Sequence, residues 1–464
     1  MREILRFKAF IPVIAGVIFF STAAIAQIDS DASAKTAILY ENLKNIQNSN
    51  QFLFGQEFFN SFRFSSGSAH GDKEYSDSKT VTGSHPAVLG SDFHYYLTKT
   101  TAEKGYHTEA VKWAYKQGYV ITFDWHLSGR GTDTYEYRTE TKDLVNNIVN
   151  DLNGDRTWYY SELDKVINII NNDLVVGTEK IPIVFRPLHE MNGDWFWWGS
   201  KATTATNYVA LYRLLVNYVK ERTNTVLFCW SPNTPTNFNY YPGDDYVDVL
   251  GVDAYEVNAS SVRSQLAPIV DHAQAHDKVA VFSETGYRSN SGTTMGDNAR
   301  AAYWKNTILP AIMEDPAGRA QKIAWVLTWI NASWSVPYIP HGSSGQEAKQ
   351  NFIDFKNSLN VLFGGEAPNM YTLIPVVAVE GNVHETANIK LFPMPVNDQL
   401  SISLSGFERL SKACIYDTKG KLIHELKITD GEAVLNANEI LNAGVYILKA
   451  SDSKKTLTKK LLVD

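Results

Sequence analysis

Short apolar runs recur along the first two thirds of the chain, and each ends near a polar or aromatic residue. The eight runs are FLFGQE from Phe52, AVLGSDF from Ala87, YVITFDWH from Tyr119, IPIVFRPLHE from Ile181, VLFCWSP from Val226, VDVLGVDAY from Val247, VAVFSETG from Val279 and IAWVLTWIN from Ile323. Parallel strands are buried on both faces and are therefore almost continuously apolar. Amphipathic helical patterns, such as residues 203–222 and 299–314, separate several runs. We predict an α/β fold, a TIM (β/α)8 barrel over residues 27–363, with its site at the C-terminal ends of the strands.

The interval after the third run is the longest and contains NDLNGDRTWYY, which predicts an extra helix or loop beside the cleft. After Phe363 the pattern changes, and Gly364, Gly365 and Pro368 indicate a linker over residues 364–388. Short alternating strands follow in QLSISL, KACIYD, KLIHEL and VYILKA. They predict a small C-terminal β-sandwich over residues 389–464.

The tail segments LFPMPVNDQLSISLS, CIYDTKGKLI, LNAGVYILKAS and TKKLLVD resemble the C-terminal sorting domain of type IX-secreted proteins. The resemblance implies that export machinery at the outer membrane recognises this domain, which is then removed or attached to the surface. A carbohydrate-binding module is the alternative. The tail lacks tryptophan and has only Phe392, Phe407, Tyr416 and Tyr446 as aromatic residues, which is poor material for a sugar platform.

The N-terminus has the pattern of a secretory signal peptide over residues 1–26. Basic residues at Arg2, Arg6 and Lys8 precede an apolar stretch that is too short to span a bilayer. Ala24 and Ala26 give the small-x-small cleavage pattern, and no second apolar span follows. We therefore predict a protein that is secreted or held at the outer cell surface, without a transmembrane span.

Composition and net charge limit the classes of molecule that this protein is expected to bind. The net charge of −7 over 464 residues comes without basic clusters, which argues against nucleic acid. The two cysteines, Cys229 and Cys414, fall in different predicted domains, so a structural disulfide is not expected. The histidines show no metal-ligand spacing, and SGRGTD at Ser128 lacks phosphate-loop spacing. No metal and no cofactor are predicted.

The segment FRPLHEMNGDWFWWG places Glu190 soon after an apolar run and sets Trp195, Trp197 and Trp198 close behind it. Indole faces stack on the apolar faces of pyranose rings, while the indole N–H remains a hydrogen-bond donor. A carboxylic acid among indoles suits protonation of a glycosidic oxygen. Whether Trp197 and Trp198 face sugar or the loop core stays open at this point.

A second carboxylate, Glu284, ends the seventh run, and strands four and seven face each other across an eight-stranded barrel. Two carboxylates at about 5–5.5 Å imply a retaining double displacement, and a gap of about 6.5–9.5 Å implies inversion. We expect burial to keep Glu190 protonated, while a cation such as Arg186 stabilises the charge of Glu284.

Glu190 and Glu284 stand in motifs that resemble glycoside hydrolase family 26, whose best-known members are β-mannanases. The matching residues are Arg186, Pro187, His189, Glu190, Met191, Asn192, Trp195, Gly251, Asp253, Tyr255 and Glu284. His189 stands directly before the acid, where most relatives of the barrel clan have asparagine. The resemblance covers about residues 35–363 and implies that Glu190 is the acid/base and Glu284 the nucleophile of a retaining mechanism.

The same resemblance implies the roles of the surrounding side chains. His189 contacts the sugar beside the scissile bond, Tyr255 positions the nucleophile, and Trp195 and Trp329 are stacking platforms at the subsite of the attacked sugar. His126 lines the glycone side. Asp124, next to it, is interpreted as structural.

One position departs from the family pattern. The family commonly has arginine after the tryptophan of the eighth run, where this chain has Ile330. The distal sugar contact is then lost, or supplied by a loop such as the one around His341. Endo action, a preference for short oligosaccharides and disaccharide release all stay open, as do tolerance of galactose branches and oligomeric state.

We therefore expect a secreted glycosidase that cleaves β-1,4-mannosidic bonds in mannan, glucomannan or galactomannan. Mixed-linkage β-glucan and β-1,3-xylan are the alternative substrates for the same mechanism. A non-catalytic surface glycan-binding protein is a second hypothesis, and a structural adhesin a third. Both leave the presence of the two carboxylates unexplained.

Overall fold

The structure, a computed structural model, describes residues 27–64, 72–287, 301–374, 388–392, 395–405, 412–417, 420–428, 432–451 and 456–463. The chain divides into two compact units between Val376 and Val377. The predicted signal peptide and residues 375–387 of the predicted linker lie outside the described residues.

The first unit is an eight-stranded parallel barrel. Strands 1 to 8 are Phe52–Glu57, Val88–Asp92, Val120–Asp124, Ile183–Arg186, Val226–Trp230, Val249–Leu250 with Asp253–Ala254, Val279–Ala280 with Phe282–Thr285, and Trp325–Thr328. Strand 8 pairs with strand 1 from Leu53↔Trp325 to Gln56↔Thr328, which closes the barrel. All eight predicted strands are present, and the predicted fold class is confirmed.

Strands 6 and 7 are interrupted, and their two halves pair separately. Val249–Leu250 pairs with strand 5 and with Val279–Ala280, whereas Asp253–Ala254 pairs with Phe282–Thr285. In the second halves, Glu284 lies directly opposite Asp253. The interruption therefore brings an aspartate and a glutamate side by side at the C-terminal ends of the two strands.

Helices surround the barrel, and several of them carry side-chain caps at their N-termini. Thr100 forms a capping box with Glu103, and Thr204 and Asn258 cap the helices Ala205–Lys220 and Ala259–Ala275. The α-helices of this unit are Ala34–Asn48, Asp77–Thr82, Phe93–Thr98, Thr101–Lys116, Leu144–Asn150, Asp155–Asn168, Ala205–Lys220, Ala259–Ala275, Leu309–Met313 and Gln346–Lys356. Short 3-10 turns lie at Thr139–Thr141, Phe238–Tyr240 and Asp244–Tyr246, and π-helical turns at Ile169–Asp173 and Trp304–Ile308.

In the described part of the first unit, three further strands lie outside the eight. Val175–Val176 and Glu179–Lys180 form a small antiparallel hairpin, and Val361–Leu362 pairs with the start of strand 1. The long interval after strand 3 holds the helices Leu144–Asn150 and Asp155–Asn168, as its sequence predicts. Among the described residues, no helix is long and apolar enough to cross a membrane.

The second unit contains two antiparallel sheets. One consists of Asn388–Phe392, Gln399–Ser405 and Glu432–Asn436, and the other of Lys412–Asp417, Leu422–Glu425, Gly444–Ser451 and Thr456–Val463. Both sheets contribute to one apolar core that includes Leu400, Ile402, Ile415, Leu448 and Leu461, and the short helix Ala437–Ile440 joins it through Ala437. Two sheets around a shared core form the small β-sandwich that the alternating strands predict.

Candidate active site

A tight turn after strand 4 positions Glu190. Strand 4 ends at Arg186, and the backbone then adopts positive φ angles of 52° at Leu188 and 54° at Glu190. Non-glycine residues rarely adopt this conformation, which tends to occur where function requires it. The Glu190 N–H donates to the carbonyl of Ser231, at 2.8 Å, so the end of strand 5 anchors the turn.

Burial dominates the electrostatics of Glu190. Protein atoms surround its carboxyl group and raise its pKa well above the usual range, and the charges of Glu284 and Asp253 raise it further. Arg186 and a hydrogen bond from Trp195 act in the opposite direction without cancelling this effect. The Trp195 indole N–H donates to Glu190 Oε2 at 2.8 Å. The raised pKa favours the protonated form of the carboxyl, which is the form that a general acid needs.

The surroundings of Glu284 instead favour a negative charge. It lies in strand 7, and its Oε2 accepts a hydrogen bond from Arg186 Nη2 at 2.8 Å. The Tyr255 hydroxyl donates to the other oxygen, Oε1. Two donors, one of them a cation, stabilise a negative charge on Glu284 and hold the carboxylate in one orientation.

Arg186 joins acidic groups from three strands. Besides Glu284 it contacts Asp253 Oδ2 through Nη1 at 2.6 Å and Asp124 Oδ2 through Nη2 at 3.0 Å. Ser231 and Ser283 each donate a hydroxyl to Asp253 Oδ1 at 2.7 Å. All of these side chains are buried, so the guanidinium is the fixed centre of a packed polar network.

His189 and His126 lie beside this network. His189 is almost fully buried, and burial, together with Arg186 and His126, lowers its pKa well below the usual range. Its imidazole is therefore neutral. The His126 ring meets it edge to face, with 4.8 Å between the ring centroids.

Asp92, at the end of strand 2, orients His126. Asp92 Oδ2 lies 2.9 Å from His126 Nδ1, and Asp92 Oδ1 accepts the His126 backbone N–H. Burial opposes ionisation of Asp92, but the interactions with His126 and His94 outweigh it and lower the pKa of Asp92. Sequence reasoning missed Asp92, although an acidic residue at the end of a predicted barrel strand was the available signal.

Glu57, at the end of strand 1, is a second acidic residue that sequence reasoning missed. Its carboxyl occupies the space that a Cβ at Gly90 would fill, since that atom would lie 1.7 Å from Glu57 Oε2. Burial raises the pKa of Glu57 well above its usual range despite the attraction of Arg186. Glycine at position 90 is therefore a requirement of this arrangement.

The tryptophans divide into buried and exposed groups. Trp197 and Trp198 are fully buried, and their indole N–H groups donate to the carbonyls of Leu127 and His189. The sequence left open whether they face sugar or the loop core, and in the structure they belong to the core of the loop. Trp195 is 37% exposed, and Trp329 is half-buried with its ring 6.2 Å from that of His126.

Gly193 fits the turn closely against Trp195. A Cβ at this position would lie 2.4 Å from the Trp195 ring. The indole therefore rests on the glycine, which holds its N–H towards Glu190.

Ile330 is buried and belongs to a small apolar cluster with Phe58, Phe62 and Ala332. It therefore offers no group to a distal sugar. His341 is itself buried against the Phe64 ring, at 4.4 Å between centroids. Trp334, which is 58% exposed and packs edge-on against Phe62, is the large aromatic surface in this loop.

One group near the site has the composition of a metal site. Asp124, His126 and His189 each bring a possible ligand atom within 4.8 Å of the others. Arg186 already binds Asp124, however, and Asp92 already binds Nδ1 of His126. A guanidinium in direct contact with one of the ligands opposes the binding of a second cation.

Comparisons with known proteins agree with this arrangement. Residues 28–308 match the model of glycosyl hydrolase family 26, and residues 390–464 match the secretion system C-terminal sorting domain. Both resemblances seen in the sequence are confirmed. The sorting domain marks the protein as secreted or located at the cell surface, which confirms the predicted localisation.

Individual relatives are identical to the chain at about a quarter of the aligned positions. A mannan endo-1,4-beta-mannosidase of Bifidobacterium adolescentis is 26% identical over 384 residues, which cover 76% of this chain and 37% of the relative. Mannan endo-1,4-beta-mannosidase A and B of Caldalkalibacillus mannanilyticus is 26% identical, with 72% and 64% covered. The chain thus spans between about a third and two thirds of the length of these curated relatives.

A solved structure covers the barrel more completely. The beta-mannanase BoMan26A from Bacteroides ovatus matches with a TM-score of 0.65 at 26% identity, covering 74% of this chain and 98% of that structure.

Proposed function

This chain belongs to glycosyl hydrolase family 26, and we propose that it is a secreted β-mannanase that hydrolyses β-1,4-mannosidic bonds with retention of configuration. The observation that carries the proposal is the contrast between two carboxyl groups in one cleft. Burial raises the pKa of Glu190 and favours its protonated form, whereas Arg186 and Tyr255 donate hydrogen bonds to the carboxylate of Glu284. An acid paired with a nucleophile is the requirement of a double displacement.

In the first step of the proposed mechanism, Glu284 attacks the anomeric carbon and the bond to the leaving oxygen breaks. Glu190 gives its proton to that oxygen, so the departing chain leaves as a neutral alcohol. Arg186 and Tyr255 each bind a different oxygen of Glu284 and fix the direction of its attack.

In the second step, Glu190 has to act as a base towards water. Formation of the glycosyl ester removes the negative charge of Glu284, which is one of the causes that raise the pKa of Glu190. The pKa of Glu190 then falls, and the hydrogen bond from Trp195 stabilises the carboxylate that results. One residue thus serves as acid and then as base.

Substrate contacts are assigned by position. We propose that Trp195 and Trp329 stack against the attacked sugar, that neutral His189 hydrogen-bonds to it, and that His126, oriented by Asp92, lines the glycone side. Mannan, rather than another β-glycan, is supported by the two mannosidases and the mannanase structure that the chain resembles.

Reducing-end release tests the substrate. The full chain is incubated with linear β-mannan, mixed-linkage β-glucan and β-1,3-xylan, and the products are resolved over time. Rapid cleavage of mannan alone is expected, with products that distinguish endo action from disaccharide release. Turnover of only glucan or xylan would overturn the substrate assignment, and binding without turnover would favour the glycan-binding hypothesis.

Proton NMR of the first product tests the stereochemistry. Retention gives the β-anomer before mutarotation, whereas an initial α-anomer would refute the double displacement. Glu284→Ala should lose turnover, and added azide should then restore cleavage and yield an α-glycosyl azide, because a small anion can replace the missing nucleophile.

A further inference from the structure

A cluster of possible metal ligands lies at the end of the barrel opposite the active site. It consists of Asp244, His272 and His276, and we call it the Asp244 cluster. Asp244 precedes strand 6, and the two histidines lie at the end of the helix Ala259–Ala275, which leads into strand 7. All three therefore lie near the N-terminal ends of strands 6 and 7, away from Glu190 and Glu284.

The two histidines face the same way because they are separated by one helical turn. Their rings are stacked, with 4.1 Å between centroids and 18° between planes. A spacing of four residues on a helix is a common way to present two imidazoles to one ion. This spacing of His272 and His276 corrects the expectation that the histidines show no metal-ligand spacing.

Asp244 completes the cluster from a separate element. Its Oδ2 lies 2.7 Å from His276 Nδ1, and its Oδ1 accepts a hydrogen bond from the Tyr241 hydroxyl at 2.8 Å. One ligand atom from each of the three residues lies within 4.8 Å of the others. Tyr241 orients the carboxylate in the way that outer partners commonly orient metal ligands.

His272 gives a second, independent sign of a ligand. Its Nε2 is buried, and among the described residues it has no hydrogen-bond partner. The Phe238 ring stacks on the imidazole at 4.5 Å and the Tyr241 ring meets it at 4.6 Å, so the orientation of the ring is fixed. A buried ring nitrogen without a partner is costly unless something binds it.

We propose that Asp244, His272 and His276 bind one divalent transition-metal ion, with Zn2+ as the best-suited class. Two imidazoles and one carboxylate are borderline ligands that suit zinc and leave a fourth position for water. Tetrahedral zinc with bonds of about 2.1 Å needs ligand atoms roughly 3.4 Å apart. On binding, the 2.7 Å contact between Asp244 and His276 therefore widens, and the exposed His276 ring turns out of its stack on His272 so that the ligand nitrogens converge on the ion. The ion replaces the proton shared between His276 and Asp244.

The consequence of binding is structural. The ion would connect the end of one helix to the turn before strand 6, at the face of a TIM barrel that serves stability rather than catalysis. Lys278 opposes binding, because its ammonium donates to the Asp244 backbone carbonyl at 2.9 Å and adds positive charge nearby. The proposal does not depend on the proposed substrate.

Zinc titration of the full chain tests the proposal. The protein is prepared without a polyhistidine tag, freed of metal, and titrated with ZnCl2 by calorimetry and by thermal unfolding. We expect one ion per chain, a higher melting temperature that a chelator reverses, and no response to CaCl2. His276→Gln and Asp244→Asn should each weaken binding by roughly tenfold or more.

Asp277→Asn is the matched control, since Asp277 is a neighbouring exposed aspartate that pairs with Lys44 instead. It should bind zinc as the unmodified protein does. Asp244 and His276 are both exposed, so two separate variants report on the cluster even if one of them folds poorly. Absence of saturable binding, or zinc binding that both variants retain, would overturn the proposal.

Discussion

Two substitutions of Trp195 separate the effect of its hydrogen bond on the pKa of Glu190 from the effect of burial. Trp195→Phe removes the indole N–H that donates to Glu190 Oε2 and keeps an aromatic ring in place. The lost bond favours the charged form, so its removal raises the pKa of Glu190. Trp195→Ala also admits water to the carboxyl, which weakens the larger effect of burial and lowers that pKa.

The size of the first shift follows from the energy of the bond. A hydrogen bond to a charged group contributes about 1.5–3 kcal/mol, and one pKa unit corresponds to about 1.4 kcal/mol. The indole is 37% exposed, and solvent screens part of this energy. We therefore expect an upward shift of roughly half to one unit in Trp195→Phe.

The pH dependence of kcat/KM on mannan measures the shift. In the proposed mechanism Glu190 must be protonated in the free enzyme, so we expect activity to be lost as the pH rises through its pKa. The alkaline limb should move up in Trp195→Phe and down in Trp195→Ala. Trp329→Phe is the control, because it should change KM without moving that limb. Limbs that coincide in all the variants, or move in the reverse order, would refute the assignment of Glu190 as the acid.

Substitutions at four other positions test the surrounding structure. Glu190→Ala should nearly abolish mannan cleavage but spare an aryl mannoside with a good leaving group, and equal losses on both substrates would contradict its role as acid. Arg186→Met leaves buried carboxylates unpaired and should lower the free energy of unfolding by about 3–5 kcal/mol. These carboxyl groups must ionise as the pH rises. The loss in the free energy of unfolding, measured with urea, should therefore be larger at pH 8 than at pH 5. Gly193→Ala should displace Trp195 and lower kcat/KM about tenfold, while melting temperature changes little. Ile330→Arg buries a charge among Phe58 and Phe62 and should unfold far more readily than Ile330→Val, which costs about 1 kcal/mol.

The barrel was predictable because each strand is buried on both faces, which leaves a continuous apolar run in the sequence. The interruptions of strands 6 and 7 were not predictable from that pattern. Val252 and Val281 are apolar and buried like their neighbours, and Gly251 in strand 6 is the one residue at either break whose type interrupts the apolar run. Each break arises from how the two strands register against each other, which is a property of the closed barrel.

Site residues that stand within a sequence motif could be predicted. Contacts between side chains on different strands could not. The sequence suggested that Arg186 stabilises Glu284, but not that it also binds Asp124 and Asp253. Trp195, Trp197 and Trp198 are chemically alike and stand in an irregular turn without periodicity. Their different exposure therefore depends on tertiary packing alone.

The position of Arg186 has a consequence for the nascent chain. The guanidinium enters with strand 4, yet two of its three carboxylate partners, Asp253 and Glu284, belong to strands 6 and 7 and are synthesised much later. A chain that has formed only its first four strands carries a cation without most of its counter-charges. The acidic centre therefore assembles only when the barrel closes. A partly folded precursor in transit between compartments would be inert towards glycans.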